Sequence, residues 1–286
     1  MHEEMGAILK SSRCGTRSIA AALLAFGMGL SGAASAAADD ASCLAGATEA
    51  RAASVNDPRS VALEDGRVLR VAGIESFAPL LPAGEDAEAA LRNRLRELVD
   101  ASGLRVKLLA QGTDRHGRFP ALIGLRDGPL VQETLAREGL AVAFALGDPI
   151  ACFDDILAAE TEARDGGRGF WNRAALSHAR PETLRPQAGR FTIFEGRVIS
   201  VGTRPQRTYL NFGLRWSEDI TVEIEKRDLN RFGGPEKIAE LAGRRVRIRG
   251  FVAEKSGPMI AVSSPMQIEV LGEPARPIDG VEGSTP

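Results

Sequence analysis

Two arginines stand in sequence contexts suited to phosphate chemistry: Arg70 in LRVAGIESFAP and Arg118 in DRHGRFPALIGL. A guanidinium carries its N–H donors in a planar fork, so two forks projecting from one sheet match the oxygens of a phosphodiester. The same side chains also suit ion pairs with Glu75 or Asp114, and both readings stand at this point. Histidine offers little. His116 sits in a polar turn beside Arg115, and neither His2 nor His178 has a ligand-like neighbour at helical or turn spacing, so no zinc site is supported.

Each arginine must be held by a strand. Val68, Arg70 and Ala72 alternate with Leu69, Val71 and Gly73 after the turn-prone Glu64-Asp65-Gly66, which gives one face to a core and the other to a groove. Arg118 leaves the polar turn 114–117 just where an apolar strand begins at Phe119 and runs to Leu125. Between them, Ala87, Leu91, Leu95 and Leu98 recur at helical spacing over 86–101, and a further strand is expected over 104–110. Helices are expected next over 129–138, stopping at Gly139, and over 154–164, stopping at Gly166-Gly167. Phe77, Leu80 and Leu81, in a loop bordering the arginine groove, are expected to pack rather than to react.

Five strings in series resemble the staphylococcal nuclease (thermonuclease) family: VNDPRSVALEDGR, LRVAGIESFAP, DRHGR, LVQETLAREGLA and AAETEARDGGRGFWN. The resemblance spans roughly Val55 to Asn172. It implies a small β-barrel capped by helices and a calcium-dependent enzyme that cleaves DNA and RNA. In that family two aspartates and a backbone carbonyl hold the ion, a glutamate serves the attacking water, and two arginines neutralise the phosphorane. Arg70 and Arg118 match the arginines. Arg59 stands where the first aspartate belongs, Glu75 where the second does, and Ala78 where the glutamate does. Calcium affinity rises with the number of carboxylate oxygens, and general-base catalysis is worth about 10²–10⁴-fold. The metal is therefore expected to be missing from the working site, with Glu75 a weak ligand at best and Asp57 a substitute only in a shifted hairpin.

The rest of the chain reads as packaging and a second unit. Lys10, Arg13 and Arg17, the apolar run 19–30 and Ala34-Ser35-Ala36 make residues 1–36 a signal peptide, so the product is expected to be exported, periplasmic or secreted, with no stable membrane insertion. Cleavage leaves Cys43 and Cys152, which an oxidising compartment would join; two unpaired small hydrophobes are the alternative. The nuclease-like unit then covers 37–178, a Pro-containing linker 179–189, a second unit 190–272 and a mobile tail 273–286. In the second unit, strands expected over 190–201, 207–212, 219–224, 245–254 and 259–263, with a helix at 235–241, have the order of an OB-fold barrel. The run TYLNFG…DITVEI resembles OB-like extensions behind nuclease-like domains. The fold class is thus mainly β with helices, as two OB-like five-stranded barrels.

Tyr209 and Trp216 are candidate stacking platforms for bases, or else core and loop packing. Arg245, Arg247 and Arg249 alternate onto one face that would track phosphates, or would be a solvated surface paired with Glu223 and Glu225. With 36 basic and 38 acidic residues the chain is not a strongly basic polyanion binder, and only the second unit leans positive. Three functions are compatible with these residues: a phosphate-gripping protein that binds single-stranded nucleic acid or another anionic polymer with weak or no cleavage, an active metal-dependent phosphodiesterase, or a non-catalytic envelope or protein-interaction scaffold.

Overall fold

The computed structural model describes residues 43–272 apart from 83–85, 102, 127, 175, 216 and 217. The expected signal peptide, Trp216 and the tail 273–286 lie outside the described residues. Among those described, no helix is long and apolar enough to cross a membrane.

The first unit is built from β1 (Thr48–Ala50), β2 (Ala52–Asp57), β3 (Ser60–Leu63), β4 (Val68–Val71), β6 (Leu104–Leu108) and β7 (Phe119–Leu125). Their order is β1-β6-β7-β4-β3-β2. Only Arg51 separates β1 from β2, so the two edges of this sheet belong to one bent strand and the sheet closes on itself as five strands. All pairings are antiparallel except β4 with β7. A small pair, β5 (Ile74–Ser76) with β8 (Ala141–Ala143), extends the site side of the barrel.

Helix α1 (Ala87–Asp100) forms because its apolar residues return every turn; Leu91, Leu95 and Leu98 are buried, and the Asp86 carboxylate caps it by accepting from Ala89 N at 2.8 Å. It closes the barrel against Val55, Leu69, Val71 and Ile123. Leu95 is fully buried, so truncation to Ala would cost about 2–5 kcal/mol. Helices α2 (Val131–Arg137) and α3 (Phe153–Asp165) pack on each other and on the barrel. Cys152, at the start of α3, is disulfide-bonded to Cys43.

The second unit repeats the arrangement. Its strands β10 (Phe191–Arg197), β11 (Ser200–Arg204), β12 (Arg207–Asn211), β13 (Thr221–Glu225), β14 (Arg245–Glu254) and β15 (Pro258–Val262) run in the order β11-β12-β13-β15-β14-β10. Again one bent strand supplies both edges, here β10 and β11, and again one pair is parallel, β13 with β15. This is the strand order of the first barrel and of an OB barrel. The strand expected over 190–201 is thus two strands, broken at Val198 and Ile199 where the chain turns the barrel corner. Edge strands β9 (Ser177–His178) and β16 (Ile268–Leu271) add to β10 and β14.

The stretch 179–189 is not an extended linker. Pro181 and Pro186, which read as breakers, instead open helical turns, a position where the missing N–H costs nothing: α4 (Pro181–Leu184) runs directly into a 3₁₀ turn, Arg185–Gln187. Leu184 is fully buried in the second core. His178, expected inside the first unit, pairs with Glu195 of the second. The units share a core as well: Phe144 of the first packs edge-on against Phe191 and Phe251 of the second, at 4.9 and 6.0 Å between ring centres.

Candidate functional site

Arg70 projects from β4, a central strand of the first barrel, directly opposite Ser60 of β3 on one side and Pro120 of β7 on the other. Leu69 and Val71 point the other way and are buried, so the alternation that places Arg70 on the outer face holds. Arg118 enters from the turn that precedes β7. Gly117 takes a positive φ of 75° there, and the Asp114 carboxylate ties the turn together by accepting from the backbone N–H of His116 at 2.8 Å and of Arg118 at 3.1 Å. Asp114 also holds the Arg118 guanidinium, Nε and Nη2 each at 3.0 Å from Oδ2. Arg118 Nη1 then reaches Ser60 Oγ at 3.0 Å.

Arg59 is the third cation. It sits in the β2–β3 turn, and its Nη1 donates to Glu75 Oε2 at 2.6 Å. The second Glu75 oxygen accepts from the N–H of Ser76 at 2.9 Å. Burial pushes the Glu75 carboxyl up, and the charge of Arg59 and the Ser76 N–H offset that only in part. Arg70 therefore does not pair with Glu75, because Arg59 has taken it. Among the described residues the Arg70 side chain has no hydrogen bond or ion pair. It is half-buried, and burial together with the charges of Arg59 and Arg118 draws its pKa down, against the weaker pull of Asp114 and Glu75. The Arg70 guanidinium thus lies within electrostatic reach of two others and, among the described residues, has no carboxylate of its own.

The group that the resemblance implies is calcium, and the residues present do not fit it. The ion takes six to eight oxygens. Both Glu75 oxygens are committed to donors, and Asp57 Oδ1 accepts from Arg59 N at 2.9 Å and from Ser60 Oγ at 3.1 Å. Asp57 caps its own turn, and the same oxygen lies 3.8 Å from Arg118 Nη1. Ala78 opens a short 3₁₀ turn, Ala78–Leu80, and offers no acid or base. Phe77, Leu80 and Leu81 are buried beside it, with Phe77 edge-on to Trp171 at 4.9 Å. His116 is exposed and accepts from Arg115 Nε.

The arginines of β14 form no phosphate-tracking face, which corrects the sequence reading. Arg247 and Arg249 are buried, at 6% and 0% exposure. Arg247 lies in register with Glu195 on one neighbouring strand and Glu269 on the other, bonding each at 2.6 Å. Arg249 crosses into the first unit, donating to Glu160 of α3 at 2.8 Å and to Ala143 O at 2.6 Å. Arg245 is exposed but pairs with Glu195 at 2.7 Å. None pairs with Glu223 or Glu225. The missed partner was legible in one respect: Glu195 and Arg247 are opposite charges in strands that adjoin in an OB barrel. Tyr209 is half-buried on β12 and lines a groove, apart from the arginine site.

The closed first barrel thus brings Arg70, from β4, and Arg118, from the turn before β7, each beside Ser60. Residues 50–173 match the family model described as Staphylococcal nuclease homologue, and this part of the chain is a staphylococcal nuclease homologue domain. The match ends before the second barrel begins. No curated protein matches the chain.

Proposed function

We propose that this is an exported protein that binds a phosphate-bearing ligand, single-stranded nucleic acid foremost, through Arg70 and Arg118 without hydrolysing it. The carrying observation is the 2.6 Å ion pair between Arg59 and Glu75. It puts a fixed positive charge beside the carboxylate where the family holds a divalent ion. A guanidinium supplies attraction for phosphate but no Lewis acid and no bound water, and Ala78 cannot take a proton from a nucleophile. Arg70, free of protein partners among the described residues, is the first donor for the incoming oxygens, and Arg118 is aimed by Asp114 and Ser60 to be the second.

The experiment is anisotropy of a labelled decathymidylate with the full chain, run in chelator and in millimolar calcium, with the same strand assayed for cleavage. Binding of equal strength in both buffers and an intact strand are expected. Binding that requires calcium, or a degraded strand, would overturn the reading.

A further inference from the structure

β5, the strand that carries Glu75, is three residues long and pairs with β8 in a two-stranded sheet. Such a ribbon is marginally stable by itself in water. The far edge of β8 is where a further strand would add its hydrogen bonds. Side chains stand there instead: Ala143 N–H donates to Glu160 Oε2 at 2.5 Å, and Ala143 O accepts from Arg249 Nη1 at 2.6 Å. Glu160 comes from α3 of the first unit, and Arg249 comes from β14 of the second.

The second barrel meets the same segment at two further places. Glu75 lies directly opposite Val142, so the two share a face of the ribbon. Val142 is fully buried in a cluster with Phe77 of the Glu75 segment and with Phe191 and Ile193 of β10. Past Phe77 the chain turns through Ala78–Leu80, and there Arg190 Nη2 donates to Pro79 O at 3.1 Å. Arg59 is placed by different means. Its own turn is closed within the first unit, by the Asp57 carboxylate that accepts from Arg59 N. One half of the Arg59–Glu75 pair is thus set within the first barrel, and the other half by both barrels.

We propose that the second barrel is the positioning element of the arginine site. Arg249, through Ala143, and Arg190, through Pro79, hold Glu75 where it neutralises Arg59, which keeps that guanidinium from joining Arg70 and Arg118 on a phosphate. Both act at a distance, through backbone carbonyls. Once β8 is released, Glu75 moves off Arg59, and a closed ion pair becomes a guanidinium open to anions. The consequence for binding rests on the phosphate reading of the site, whereas the placement of Glu75 does not.

The full chain labelled with ¹⁵N-arginine reports the pair directly. The Arg59 Nε–H resonance is identified by its loss in Arg59→Ala, and Glu75→Gln sets its unpaired position. Arg249→Met should carry the resonance to that position. Arg190→Ala, which removes one exposed contact and leaves the core alone, should carry it part of the way. By anisotropy, Arg249→Met should bind decathymidylate about tenfold tighter or more, and steepen log K against log salt by about 0.7, the mark of one added phosphate contact. Adding Arg59→Ala should abolish both gains, whereas a variant that only loosened the fold would bind more weakly. An Arg59 resonance unmoved in Arg190→Ala and in folded Arg249→Met would overturn the inference. If Arg249→Met does not fold, Arg190→Ala decides alone. A resonance that moves while no form of the chain binds the strand would uphold the positioning and overturn the phosphate reading.

Discussion

Arg59 and Glu75 meet at 2.6 Å across 16 residues of chain, and the contact places a guanidinium where a nuclease of this family would carry its metal. A cation fixed covalently to the chain cannot be chelated away, and it cannot polarise water.

Restoring the acid should therefore restore the ion. Arg59→Asp removes the competing charge and sets a second carboxylate near Glu75. Calcium in large excess should then raise the melting temperature, since a ligand present at about 100 times its Kd adds about 2.7 kcal/mol to the native state. The native sequence should show no shift. Calorimetric scans with and without calcium decide it.

The grip itself is read from salt. Arg70→Ala should cost about 1.5–3 kcal/mol of oligonucleotide binding, the worth of charge-assisted hydrogen bonds. It should also flatten the dependence of log K on log salt by about 0.7, one phosphate contact on a single strand. An unchanged slope would mean that Arg70 does not touch phosphate.

The two site carboxyls respond to pH with opposite signs. Burial alone would raise Asp114, but the N–H and guanidinium of Arg118 and the N–H of His116 outweigh it and bring it down to about 2. Its folded pKa is depressed, so its stabilisation is present above the ordinary aspartate value and is lost as pH falls toward about 2. Glu75 is raised, so the folded state holds its proton more tightly and its contribution declines as pH climbs from the ordinary glutamate value through the folded one. Melting temperature against pH should lose part of its acid limb in Asp114→Asn, the rest being carried by Glu195 and Asp65. Glu75→Gln should remove the decline at higher pH and, by releasing Arg59, tighten phosphate binding.

The buried pair between the units should dominate stability. Arg249→Ala leaves the fully buried Glu160 with only Arg164 and the Ala143 N–H, and breaking one side of such a pair costs up to about 3–5 kcal/mol. Urea unfolding of the native chain should be one transition for both barrels, and the variant should unfold at markedly lower urea.

Reduction should act on the first unit. Cys43 and Cys152 are separated by 109 residues, a loop for which chain entropy gives up to about 4–5 kcal/mol. A matching fall in stability in reductant, and its absence in a Cys43→Ala, Cys152→Ala double variant, is the expected result.

Much of the fold is legible in the sequence where a residue's meaning is local. Leu91 and Leu95 announce their helix by spacing, Phe119 to Leu125 its strand by composition, and Arg70 its outward face by alternation. The same rule fails on β14. Alternation correctly puts Arg245, Arg247 and Arg249 on one face, but whether a face meets water or another domain is set by the element that docks on it, and Glu160 lies 89 residues away from Arg249. Pro181 misleads for a related reason: a proline breaks a chain or begins a helix according to the residues after it, and Leu184 had a core to enter. Arg59 is legible as a lost ligand but not as a replacement cation, since Glu75 is brought to it only by barrel closure.

The hydrogen bond from Arg249 to Glu160 also orders events at the ribosome. By the time α3 has emerged, Glu160 has Arg164 of its own helix at 3.2 Å and the Ala143 N–H, but the second guanidinium that pairs with it has yet to be synthesised. The contacts of Arg249 with Glu160 and Ala143 O thus form only once β14 has arrived. A chain ending shortly after Asn172 would carry the family signature and still lack one of the two arginines that hold Glu160.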